Sequence, residues 1–215
     1  MPIKLLLLIS ISLIIIFYLR IILIYLKTKK TNIEDMTGFD LAKELTSNYD
    51  EINIVESKEI NISKYNLKRK IIRFTKKDYN SNNLFTLSKS SLLAGYSLIN
   101  YSKDKNIQIL SKIFPNISLL NISPLIAILI SIFAQNKGDA KIAIILLIII
   151  LIYQYLINEI NNTSKEQTQN QLKHLLTKTN YSLLEQTQNS FISLNKISFI
   201  VTLILILREV LIIIN

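Results

Sequence analysis

The side chains this sequence offers for chemistry form a short list. Among its 215 residues there is one histidine, His174, and no cysteine. Zinc chemistry ordinarily needs two His at i and i+4 on one helix face, with a Glu between them to polarise the metal-bound water, or else a set of thiolates. Neither can be assembled from this chain. His174 lies in the amphipathic stretch Gln171-Leu172-Lys173-His174-Leu175-Leu176 and reads as a surface or partly packed residue. The absence of Cys also rules out disulfides. Carboxylates remain: Glu159 and Glu185 could contribute to a non-standard centre completed by a partner's ligand. Arg208 and Glu209 stand inside an apolar run, where a charge at a helix centre costs about 2.5–3.5 kcal/mol, so each is expected to face a bundle interior or an interface. Being adjacent on a helix they point apart, which predicts different partners.

The elements that must position these residues are dominated by hydrocarbon. Half the residues are hydrophobic, mean hydropathy is positive, and the apolar residues come in blocks. Residues 5–26 would span roughly 33 Å as a helix, enough for a bilayer core. Residues 117–134, 142–157 and 197–214 are three more such blocks; the first of them contains Pro124, which membrane helices tolerate. The fold class expected is therefore an α-helical membrane protein with four transmembrane helices and a small α+β domain. Lys4 resembles the start of a secretory signal, but the apolar run is too long and no small-residue cleavage site follows, so residues 1–26 read as an uncleaved transmembrane anchor. Residues 27–116 then form the soluble domain and 117–157 a membrane hairpin turning near Gly138. Residues 158–196 form a helical segment and 197–215 the last membrane helix. Four spans put both soluble stretches on one side. Lys27, Lys29 and Lys30 follow the first span while only Lys4 precedes it, which predicts cytoplasmic soluble stretches and outward termini.

The net charge of +10 raises the question of nucleic acid. The basic residues are spread along membrane-flanking loops and interleaved with Glu34, Asp35, Glu44, Glu51 and Glu56. The densest cluster, Lys68, Arg69, Lys70, Arg73, Lys76 and Lys77, falls on a predicted strand. An anionic leaflet is the partner this implies, and no nucleic acid is expected. In the soluble domain Thr37 reads as an N-cap for Phe39, Leu41, Ala42 and Leu45 at helical spacing. Ile52, Ile54, Ile60 and Ile62 alternate as strands do, and residues 68–76 form the next strand. Leu84, Leu87, Ser91, Leu92, Gly95, Leu98 and Ile99 fall on one side of a helix over 84–101. Ser182-Leu183-Leu184-Glu185 reads as a capping box opening a helix towards the last span.

Four segments, in order and spacing, carry a resemblance. They are Thr37-Gly38-Phe39-Asp40-Leu41-Ala42, Tyr65-Asn66-Leu67-Lys68-Arg69-Lys70-Ile71-Ile72-Arg73-Phe74-Thr75, Ser90-Ser91-Leu92-Leu93-Ala94-Gly95-Tyr96-Ser97-Leu98-Ile99-Asn100 and Leu156-Ile157-Asn158-Glu159-Ile160-Asn161. Together they resemble the membrane-bound neutral zinc metallopeptidases of bacteria. The resemblance implies a zincin-like domain whose motif helix carries His-Glu-x-x-His and a further His four residues on. Aligned without a gap, the first His falls on Leu92, the catalytic Glu on Leu93, the second His on Tyr96 and the extra His on Asn100, while Gly95 keeps its place. Asn66 and Leu67 depart from the family's Asp-Pro turn. Glu159 keeps the position of the third ligand.

Active relatives use zinc; with Leu92, Leu93 and Tyr96 in the motif, no cofactor and no catalytic centre are expected here. Each buried Leu contributes roughly 1.5–3 kcal/mol, so the expectation is that apolar side chains fill the space of a metal site while Tyr96 hydrogen-bonds Glu159. The functional expectation is a catalytically inactive membrane homologue in a bacterial inner membrane that binds or regulates membrane proteins or peptides, with residues 71–75 serving as an edge strand for peptide addition. Two alternatives stand beside it: an active peptidase built on Glu159 and Glu185, and a structural assembly subunit.

Overall fold

The computed structural model describes residues 2–33, 36–58, 62–99, 101, 116–118 and 122–215. In chain order these form helix α1 (Pro2–Thr28), α2 (Gly38–Leu45), strands β1 (Asn53–Glu56), β2 (Lys64–Asn66) and β3 (Ile71–Phe74), α3 (Lys76–Asn80), α4 (Leu84–Ile99), β4 (Asn116–Ser118), α5 (Ser123–Phe133), α6 (Lys137–Leu175) and α7 (Lys178–Ile214). They divide into two compact units. One comprises Met1–Ile22, Asn121–Asn158 and Ile192–Asn215; the other comprises Leu23–Leu120 and Glu159–Phe191.

The first unit is made of helices whose apolar core is aliphatic, with Ile14, Ala127, Ile128, Leu147, Val201 and Leu205 packed together, and polar side chains such as Ser131, Gln154, Arg208 and Glu209 are buried beside it. Its outer surface is aliphatic too, with Leu8, Ile16, Ile145, Ile149 and Leu207 exposed. Such a surface is unfavourable in water and is what hydrocarbon solvent demands. Three helices are long and apolar enough to cross a membrane, within Ile3–Thr28, Lys137–Leu175 and Lys178–Ile214. The expected span over residues 117–134 takes a different form. Residues 116–118 are strand β4, and α5 has only 11 helical residues, about half a bilayer core in length. Pro124 does not interrupt this helix but starts it, where a missing N–H costs nothing.

Two polar fasteners hold α5. At its start Gln154 Nε2 donates to Ser123 Oγ at 2.9 Å. At its end Arg208 Nη1 donates to the Ser131 carbonyl at 2.6 Å and to Ser131 Oγ at 3.1 Å, and Ser131 Oγ also donates to the buried Glu209 carboxylate. A helix's last carbonyls lack intrahelical partners and carry the negative end of its dipole, so a cation there is favourable. Arg208 and Glu209 thus share a partner and bond each other as well, against the expectation that neighbours on a helix part company. The long guanidinium stem curls back far enough to close the pair.

In the second unit the sheet order is β1-β3-β2-β4. β1 pairs with β3 in parallel, and β2 pairs with β3 and β4 antiparallel. The stretch 65–75 is therefore a hairpin and not one strand. Asn66 Oδ1 accepts from the Arg69 N–H at 2.8 Å to shape the turn, and Lys70 takes the left-handed conformation at φ 53°. Of the alternating isoleucines only Ile54 lies in a strand; Ile60 is outside the described residues, and β2 starts two residues after Ile62. Since β3 is paired on both sides it cannot be the edge strand expected for peptide addition. Thr37 caps α2 as read, in a reciprocal capping box with Asp40. The predicted capping box at Ser182 and Glu185 is not a helix start: α7 begins at Lys178, with the Thr177 hydroxyl accepting from the Asn180 N–H at 3.4 Å. The helical segment expected over 158–196 is correspondingly not an element of its own. It is the second half of α6 and the first half of α7, each continuous with an apolar span.

Candidate functional site

Helix α4 lies at the centre of the second unit because two glycines let its neighbours come close. At Gly38 an added Cβ would stand 2.3 Å from the Asp78 carbonyl and 2.7 Å from Ser90 Oγ, and at Gly95 it would stand 2.3 Å from both the carbonyl and the hydroxyl of Ser164. The start of α2 therefore rests on α3 and α4, and α6 rests directly on the backbone of α4. A buried carboxylate ties α4 to the sheet: Asp78 accepts from Ser63 Oγ and from Lys89 Nζ, and Ser63 Oγ in turn accepts from the Thr75 N–H at 3.0 Å.

The outcome is a helix buried nearly all round, where periodicity predicted one buried side. Leu92, Leu93 and Tyr96 all have 0 % exposure, although Leu92 and Leu93 point about 100° apart. Around them runs a polar seam contributed by α6 and α7. Ser164 Oγ donates to the Leu92 carbonyl at 2.7 Å, Gln188 Nε2 donates to Ser91 Oγ at 2.7 Å, and Ser88 Oγ reaches the Leu184 carbonyl at 3.4 Å. The Tyr96 hydroxyl donates to the side-chain oxygen of the buried Asn161.

That last contact corrects the expected partner. Glu159 is exposed, while Asn161 and Ser164 lie on the buried stripe of α6. Two residues along an α-helix is a rotation of about 200°, so a helix that presents Asn161 to Tyr96 must turn Glu159 away. Asn100 lies outside the described residues. Glu185 is engaged by Lys165 Nζ at 2.8 Å, and His174 is exposed. Among the described residues no three of His, Cys, Asp and Glu are grouped so that they could hold a metal ion.

Zinc is the cofactor against which this arrangement must be tested, and the residues do not fit it. Two of the positions on α4 present hydrocarbon with no exposure. A phenol oxygen at the third extends about as far from its Cα as a cation held by an imidazole would lie, and that oxygen is already hydrogen-bonded to Asn161. The retained carboxylate faces elsewhere. Asn161, Ser164 and Gln188 are the site residues that periodicity did not single out; the signal for the first two was Gly95, a helical glycine that makes room for a neighbouring backbone.

A motif helix cradled between a small mixed sheet and two long helices, in a chain with three helices long and apolar enough to cross a membrane, defines a mostly helical α+β protein of membrane type. The model of the family described as "Putative neutral zinc metallopeptidase" matches residues 3–179. The chain belongs to that family. No curated protein and no solved structure matches it.

Proposed function

We propose that this chain is a catalytically inactive, degenerate member of the zinc metallopeptidase family that acts as a binding or regulatory membrane protein. The observation that carries the reading is the closed packing of Leu92, Leu93 and Tyr96, with the Tyr96 hydroxyl committed to Asn161. Hydrolysis needs a nucleophilic water and a polarising group within reach of one another. Here the positions from which the family would supply both are filled by packed side chains. The alternative of an active centre on Glu159 and Glu185 is disfavoured by the exposure of the first and the lysine partner of the second.

The proposal includes four membrane crossings, with α5 as the short one, and both soluble stretches in the cytoplasm of a bacterium. The turn after α5 carries Gln135, Asn136, Lys137, Asp139 and Lys141, so it belongs in water, and the chain must return through α6. The test uses the full chain purified in detergent, measuring bound zinc by elemental analysis and casein cleavage with and without chelator. Substoichiometric zinc and no chelator-sensitive cleavage are expected. One equivalent of zinc with chelator-sensitive cleavage would overturn the reading. Crosslinking in native membranes followed by mass spectrometry is expected to recover membrane-protein partners.

A further inference from the structure

The chain leaving α1 is held by backbone bonds to the start of α4. Leu84 N–H donates to the Thr31 carbonyl at 2.8 Å, and Ile33 N–H to the Asn82 carbonyl at 3.0 Å. This fixes the chain at the end of α1 beside residues about fifty positions away. Tyr25 stands edge-on to Phe85, with ring centroids 4.8 Å apart, and Phe85 meets Phe191 at 5.3 Å. Two ammonium groups then converge on one ring: Lys29 Nζ lies 5.6 Å and Lys77 Nζ 6.0 Å from the Tyr25 centroid. Lys30 and Lys76 are their neighbours in the chain, and all four lysines are exposed. Lys89, the next cation, is neutralised by Asp78. Among the described residues no carboxylate pairs with Lys29 or Lys77.

We propose that Lys29 and Lys77, converging on Tyr25 with Lys30 and Lys76 beside them, form a binding site for the phosphate of an anionic phospholipid headgroup. The lipid is the occupant these observations favour over an acidic peptide or nucleic acid. The site sits at the end of a helix long and apolar enough to cross a bilayer, Ile3–Thr28, and that end cannot move away from the membrane surface. An aromatic ring at the headgroup level with ammonium groups reaching past it is how interfacial anchors are built. Like charges gathered around one ring repel, and an anionic headgroup beside them relieves the repulsion, while the attraction to the leaflet acts only within a Debye length of it. Neither lysine pair could be joined from the sequence, since residues 29–30 and 76–77 meet only through folding.

The test uses the full chain in detergent, titrated with phosphatidylglycerol or phosphatidylcholine, with retained lipids counted by native mass spectrometry. The wild type is expected to retain phosphatidylglycerol preferentially. Lys29→Gln with Lys77→Gln should weaken that preference about 25-fold, or about five-fold per lysine. Lys173→Gln with Lys178→Gln, the same charge change elsewhere, should leave it unchanged. No preference in the wild type, an equal loss in both double variants, or displacement of the bound lipid by glycerol phosphate as readily as by phosphatidylglycerol would overturn the proposal. Circular dichroism confirms that the variants are folded. Should the first double variant fail to fold, salt decides on the wild type alone: the preference should fall steeply as NaCl rises to about 0.5 M, and a salt-insensitive preference would sink the idea.

Discussion

At the scale of single residues, the hydrogen bond between Tyr96 and Asn161 is the contact on which the site's interpretation turns. Both groups are buried, and an abandoned buried amide oxygen costs about 1–3 kcal/mol. Tyr96→Phe should therefore lower stability by about that much in chemical denaturation. The loss should shrink when Asn161→Leu is also present and persist alongside Glu159→Gln. A dependence on Glu159 instead would mean that α6 presents the other face. The ion pair in the first unit makes a similar demand. Glu209 has 0 % exposure, its second carboxylate oxygen has no hydrogen-bond partner among the described residues, and Arg208 supplies its countercharge. Arg208→Leu should cost about 3–5 kcal/mol by leaving a buried charge alone, and adding Glu209→Leu should recover most of it. Thermal unfolding in one detergent would measure both.

At the scale of elements, the approach of α6 to α4 depends on Gly95. Gly95→Ala places a methyl 2.3 Å from backbone and side-chain atoms of Ser164, and a backbone atom cannot swing aside as a side-chain tip can. The two helices must separate, and a loss of about 1–3 kcal/mol is expected, as for other overpacked interiors. The same change at Gly138, where the nearest atom is a side-chain oxygen at 3.2 Å, should be far milder. Helix α2 offers a pH test. The hydrogen bonds from the Thr37 hydroxyl and then from its N–H hold the Asp40 carboxyl below its ordinary value. A carboxyl lowered on folding stabilises fully above its unfolded pKa of about 3.9 and loses that contribution as pH falls through the folded value. Thr37→Ala should cost about 1 kcal/mol at neutral pH and flatten this part of the acid-unfolding curve, as seen by circular dichroism between about pH 6 and 2. Elements were also where reading by pattern succeeded unevenly. The Thr37 cap and the motif helix were legible, because a cap and a helical period are local. The hairpin within residues 65–75 was not, because the strand-like pattern continues through its turn.

At the scale of the whole molecule, the proposed topology can be checked with the chain's own blank background. Because it has no cysteine, single changes Lys30→Cys and Lys137→Cys can be labelled one at a time in sealed membrane vesicles with an impermeant maleimide. Opposite accessibility is expected, since four crossings put the residue 135–141 turn across the bilayer from the soluble stretches. Labelling of both from the same side would leave α5 and α6 without a crossing between them.

Composition and local pattern were enough to establish that the chain has membrane-length helices and that no His pair or thiolate can be assembled, and the resemblance of four segments pointed to the family that the match over residues 3–179 shows. Each of these depends on which residues occur and at what spacing, and folding does not change that. Folding alone decided that Tyr96 meets Asn161 and not Glu159, that β3 is interior, that Arg208 and Glu209 share Ser131, and that Lys29 and Lys77 converge on Tyr25. These partners lie dozens of residues apart or on unforeseen helix faces, and close packing, not the order of the letters, selects which of them touch.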